Sequence, residues 1–197
     1  MKEVLIGIQP KWCAKIANGE KTIEVRKSRP KLQTPFKVRI YCTNDKKVFL
    51  DSDCNNKFWT EKNYGGKHFY NGKVIGEFVC DRIDEYLCEE YEWDDGDVSF
   101  EYRIRSVEGR KTCLDYEEIR EYGKEKPLYF WHISQLKIYN KPKDLREFRK
   151  PCPYTDGSYC IERKCEYYGD WTGVCRCWVE RPPQSWCYVK ELGDLTK

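Results

Sequence analysis

Apolar and polar residues alternate with a period of two along several short stretches of the chain. Over residues 21–28, Ile23 and Val25 alternate with Thr22, Glu24 and Arg26, the pattern of a strand with one apolar face and one charged face. Residues 36–42 repeat it, with Phe36, Val38 and Ile40 on one side and Lys37, Arg39 and Tyr41 on the other. Residues 4–10 read as an apolar strand, after which Pro10 is well placed to begin a helix bearing Trp12, Cys13 and Ile16 at helical spacing, ended by Asn18-Gly19. Further strands are predicted at 73–80, at 98–105 and at 128–140, the longest, with a bend near Ser134-Gln135. A short helix is predicted at 115–122, with Asp115 as N-cap and Tyr116, Ile119 and Tyr122 on one face. Residues 43–72, rich in Asn, Asp, Lys and Gly, read as a long polar loop or insertion.

Five or six strands with two or three short helices, not regularly alternating, predict an α+β protein built on a small mixed β-barrel rather than a βαβ fold. A basic turn at 143–150 precedes Pro151-Cys152-Pro153, which divides the 197 residues into a domain at 1–150 and a Cys-rich irregular extension at 151–197. No run of apolar residues is long enough to span a bilayer and the apolar stretch at the N-terminus is too short for an export signal, so no membrane role and a cytoplasmic location are expected.

Composition adds two features. The net charge of +3 conceals segregation: residues 1–40 carry ten Lys/Arg against three Asp/Glu, 80–125 carry seven against sixteen, and 126–151 carry seven against two. Folding that joins the two basic segments would make a polyanion-binding side, although a merely charge-rich, solvated surface also accounts for the counts. Of the 12 cysteines, Cys13, Cys42, Cys54, Cys80, Cys88 and Cys113 are scattered in mostly apolar or strand-like contexts and read as small hydrophobes. The other six crowd the extension. Four thiolates hold a tetrahedral zinc, and a metal would stabilise a segment with too little apolar area of its own. Cys152, Cys160, Cys165 and Cys177 are the leading candidate ligands, with Cys175 the alternative fourth. There is no C-x2-C knuckle, and a reduced metal-free tail, disulfides or an iron–sulfur cluster are the competing readings.

The candidate chemistry lies at the handover from the first helix to the second strand. Gly19, Lys21, Glu24 and Arg26 concentrate a turn glycine, two cations and a carboxylate within eight residues. Glu24 and Arg26, two apart on a strand, project from one face, whereas strict alternation sends Lys21 to the other unless it acts from the turn. A surface ion-pair ladder is the simplest structural account of such a triplet.

The order of these parts, IQPKWCAKIANG followed by GEKTIEVR, resembles the ASCH domain family, whose signature is G-x-K-x-x-E-x-R. The later run YFWHISQLKIYNKPKDLREF resembles the final strand and exit of ASCH proteins found in phage and prophage genomes, and the resemblance covers roughly residues 3–150. It implies a PUA-like β-barrel with Gly19, Lys21, Glu24 and Arg26 lining a cleft suited to RNA. Phosphates would meet Lys21, Arg26, Lys37 and Arg39, and an unstacked base would lie on Tyr41, with core packing the expectation for Trp12 and Trp131. Some similar proteins are enzymes, among them a hydrolase of N4-acetylcytidine and a ribonuclease. The hydrolase pattern has threonine where this chain has Glu24, so a hydrolase here would use Lys21 and Glu24 in acid–base roles. A protein-interaction module is the third reading. His132 is expected as a satisfied core or rim histidine and His68 as a loop residue, while Trp186 and Tyr188 are expected to pack the tail back onto the barrel.

Overall fold

The computed structural model describes residues 3–62, 69–93, 97–150 and 178–191. In chain order the elements are β1 (Glu3–Ile8), α1 (Pro10–Ala17), β2 (Ile23–Arg26), β3 (Phe36–Cys42), β4 (Val48–Ser52), β5 (Phe58–Lys62), β6 (Lys73–Tyr86), β7 (Cys88–Glu92), β8 (Val98–Tyr102), α2 (Ser106–Thr112), α3 (Tyr116–Gly123), β9 (Leu128–Lys143), β10 (Phe148–Arg149) and β11 (Trp186–Glu191). Seven strands form one mixed sheet in the order β10-β11-β1-β3-β6-β9-β2, in which β1 and β3 run parallel and the other neighbours antiparallel. The α+β class is as predicted, but strand pairing does not close the sheet into a barrel: among the described residues β2 pairs only with β9.

Alternation along the strands gives the sheet two buried faces. Val4, Ile6, Val38, Ile40, Phe78 and Trp131 point to one face and pack under Cys13, Ala14 and Ile16 of α1. At one end of the opposite face, Leu5, Tyr41, Val74 and Val189 pack with Leu145 and Phe148, and at the other Ile23, Val25, Leu128 and Phe130 pack with Tyr102 and Ile119 of α3. Each fully buried large side chain contributes roughly 1.5–3 kcal/mol, so both layers hold the fold. The register shift between Glu77 and Val79 of β6, opposite Lys137 and Ser134 of β9, and the left-handed Gln135 (φ 46°) mark an irregularity at the predicted Ser134-Gln135 bend.

Within the stretch read as a polar loop, residues 48–52 and 58–62 form two strands. The β4·β5 hairpin sends Leu50 and Phe58 into the first core, and Asn18 at the end of α1 docks it: its amide donates to Phe58 O (2.8 Å) and its carbonyl oxygen accepts from Phe58 N (2.9 Å). The extension also contributes to the sheet. In β11, Trp186 and Tyr188 face the first core and Cys187 and Val189 the second, so residues 186–191 lie between β1 and β10. No helix among the described residues is long and apolar enough to cross a membrane.

Candidate functional site

Gly19 takes φ +75°, which favours glycine, and its amide donates to Ile16 O as α1 unwinds. The amides of Glu20 and Lys21 then both donate to Lys15 O, folding the chain back under the helix end. Lys21 therefore precedes β2, free of the strand's alternation, and its side chain reaches the same side as Glu24. Its ammonium donates to Thr112 O at the carboxyl end of α2 (2.6 Å) and lies 3.4 Å from Glu24 Oε2. The helix dipole makes that end a favourable place for a cation. Arg26 Nη2 lies 2.9 Å from Glu24 Oε1 and donates to Gly7 O (2.7 Å), tying β2 to the end of β1 where no ladder joins them.

The triplet is thus not a surface ladder. Lys21 is 2% exposed, Glu24 6% and Arg26 8%, and one carboxylate bridges two cations. Burial on this scale removes water from all three groups, a cost that their mutual pairing offsets only where the hydrogen bonds are complete. They are not complete: Arg26 Nε is buried without a partner. An orphaned guanidinium donor costs free energy unless something accepts from it.

All three side chains line one open cavity of about 670 Å³. Trp12 from α1 and Tyr122 from α3 also line it, the Lys21 ammonium lying 5.2 Å from the Trp12 ring centre and the Lys27 ammonium 4.9 Å from that of Tyr122. Lys27 and Lys124 add positive charge at the walls, and Glu118 and Glu121 add negative charge. The charges are therefore mixed rather than simply cationic, and they present donors and an acceptor between two aromatic rings. Burial pushes the Lys21 ammonium below its ordinary pKa, opposed by the Glu24 carboxylate beside it. Burial also raises the Tyr122 phenol, so it stays protonated well above neutrality.

The other sequence candidates lie elsewhere. Gly19 shapes the turn but is not in the cavity wall. Arg39 and Tyr41, expected on an open face, are each 3% exposed because β10, β11 and the turn at 145–147 cover that face. Arg39 pairs with Glu3 (2.7 Å), Glu77 and the Tyr139 hydroxyl, and Lys37, half-exposed, lies 3.6 Å from Glu3. Tyr41 sits in the second core and has no free ring face for a base. Trp131 is fully buried, in edge-to-face contact with Phe36. Trp12, expected in the core, does pack against the first core but is only half-buried and also lines the cavity. His132 is satisfied, its Nε2 lying 2.7 Å from Asp84 and 3.0 Å from Arg82. Lys27 follows the motif directly, whereas Tyr122 and Gln184 join the cavity with no motif to mark them, because distant elements bring them there.

Cys152, Cys160, Cys165, Cys175 and Cys177, like His68, lie outside the described residues. Among the described residues no group of three or more His, Cys, Asp or Glu could hold a metal ion.

No protein-family model matches the chain, and no curated protein matches it. Solved structures do. A tyrosine-to-phenylalanine variant of an ASCH protein from Zymomonas mobilis aligns over 100% of both chains at 16% identity with a TM-score of 0.50. The unsubstituted Zymomonas mobilis ASCH protein aligns over 99% of this chain and 96% of its own at 17% identity, with a TM-score of 0.47. By the first of these likenesses, the chain has the fold of an ASCH protein.

Proposed function

We propose that the chain is a nucleic-acid-binding module for RNA, and that the cavity around Lys21, Glu24 and Arg26 receives an unpaired base while flanking lysines meet phosphate. The observation that carries this reading is the convergence of the three buried charged side chains on one open cavity that Trp12 and Tyr122 also line. A base edge suits such a cavity. It offers a carbonyl or ring-nitrogen acceptor to Arg26 and a donor to Glu24, and Trp12 and Tyr122 offer faces for stacking. Lys27 and Lys124 stand where the adjoining phosphates would pass.

The test is fluorescence anisotropy of labelled single-stranded RNA with the full chain. Lys21→Met and Arg26→Lys are each expected to weaken binding about tenfold with the fold intact, as loss of a charge-assisted hydrogen bond implies. Rising salt should weaken binding, with a slope set by the few phosphates contacted. Binding that ignores both substitutions would overturn the reading.

The second reading is hydrolysis of a modified nucleoside such as N4-acetylcytidine, or of RNA. It is favoured by a buried lysine with a lowered pKa beside a carboxylate, the arrangement that acid–base work requires. Turnover by the full chain that vanishes in Lys21→Met would select it; binding without turnover would select the first.

A further inference from the structure

α3 separates two cavities. Glu121 and Lys124 belong to both: on one side lies the cavity already described, and on the other a groove of about 410 Å³ between α3 and the β7·β8 hairpin. Cys88, Phe100 and Tyr102 of the hairpin line this groove, as do Glu117, Glu121 and Glu125. Its cations are Arg120, 3.7 Å from Glu117, and Lys124.

The hairpin continues the pattern outward. Alternation places Glu90 and Glu92 on the same face as Cys88, opposite Phe100 and Val98. On the other face Glu89 and Glu101 stand directly opposite each other, a pairing of like charges that costs stability, and among the described residues only Glu89 has a cation beside it, Arg103 at 2.8 Å. Glu90, Glu92 and Glu101 have no ion pair among the described residues. Apolar side chains stand exposed along the hairpin, Val98 (50%) on the groove face and Leu87 (59%) and Trp93 (55%) at the two ends of β7. Each strand of the hairpin has a single strand partner among the described residues, which leaves backbone donors and acceptors along its edges.

We infer that this groove and hairpin form a docking surface for an extended, basic segment of a partner protein. Charge complementarity selects the occupant, since carboxylates outnumber cations around an apolar floor and the surface would repel a nucleic acid. The stem of a lysine or arginine fits over Phe100 with its charged head among the glutamates, an apolar neighbour enters the floor, and the free hairpin edge supplies main-chain pairing. The surface lies across α3 from the proposed RNA cavity and does not depend on that reading.

Two fluorescein-labelled probes test it with the full chain: a hepta-lysine peptide and its counterpart with a central leucine. The leucine peptide is expected to bind about tenfold tighter, as burial of a leucine side chain implies. Phe100→Ser should erase that preference. The double variant Glu90→Lys/Glu117→Lys should weaken both peptides at least about tenfold, which separates the surface from any folding defect of the Phe100 variant. Backbone amide shifts on titration should fall on the hairpin and α3. Equal affinity for the two peptides, shifts elsewhere, or no saturable binding would overturn the inference. So would self-association abolished by the double variant, because a second copy would then be the occupant.

Discussion

Lys21 ties the local turn to the chemistry of the cavity. Its pKa is lowered because burial disfavours the ammonium more than Glu24 favours it, so the folded chain releases this proton at lower pH than the unfolded chain. Between those two values the unfolded state holds more protons, and stability contributed by this group rises with pH; below the folded value the cost of burying the charge is fully present. Tyrosine and cysteine groups with raised pKa values act in the opposite sense over the same alkaline range, among them Tyr102 and Cys80, each pushed up to about 12. The difference between the native chain and Lys21→Met isolates the lysine. Relative to the variant, the native chain is expected to gain stability as pH rises toward the ordinary lysine value of about 10.4. Urea denaturation at a series of pH values measures this, and a difference that is flat or falls would mean the ammonium is not penalised by burial.

At the scale of elements, α3 carries the most consequence per residue, for it walls both cavities. Its start is held by a capping box in which Asp115 Oδ1 accepts from Glu118 N (2.8 Å) and Glu118 Oε2 accepts from Asp115 N (3.0 Å). Asp115→Ala is expected to cost about 1 kcal/mol, read as a lowered urea midpoint with an unchanged slope. This helix was legible in advance because cap and apolar face are both local signals. The same locality explains α1, β2, β3 and the bend in β9. The α2 sequence carries no apolar stripe, and β4 and β5 sit in a stretch dominated by turn residues; each is held by partners distant in sequence, Lys21 on Thr112 and Asn18 on Phe58. The alternation in β3 correctly assigned Arg39 and Tyr41 to one face. Period two identifies faces but not what covers them, and the covering here is supplied by β10 and β11. For the same reason Lys21, Glu24 and Arg26 could be named from the motif, while Tyr122 and Gln184 could not.

For the molecule as a whole, the decisive connection is the one between β10 and β11. These antiparallel neighbours, Phe148 opposite Glu191 and Arg149 opposite Lys190, are separated in sequence by residues 150–185. Among the described residues the chain first returns at Trp178, which bridges Arg149, and at Val179, whose amide donates to Phe148 O (2.8 Å), and closing the stretch before that return costs on the order of 3 kcal/mol of chain entropy. The strand it delivers is structurally costly to lose: Val189 is fully buried, and Ser185 O accepts from the Gly7 amide at the cavity wall (3.0 Å). The five cysteines of the proposed zinc site, Cys152, Cys160, Cys165, Cys175 and Cys177, all fall within this connection. A zinc held by four of them would shorten the free chain in the unfolded state as a cross-link does, stabilising the whole sheet by roughly 3 kcal/mol and not only the segment that binds it. The purified full chain is expected to contain about one zinc, as one four-thiolate site implies. Chelation should then lower the thermal midpoint by several degrees, roughly 2–4 °C per kcal/mol for a chain of this size, and weaken RNA binding, because β11 and Gln184 support the cavity wall. Replacing Cys152, Cys160, Cys165 and Cys177 together by serine should reproduce the chelated midpoint and abolish the response to chelator. Zinc well below one atom per chain, with a midpoint indifferent to chelation, would leave the cost of that connection to be met by the packing of β11 and of Val179, which is buried in the second core.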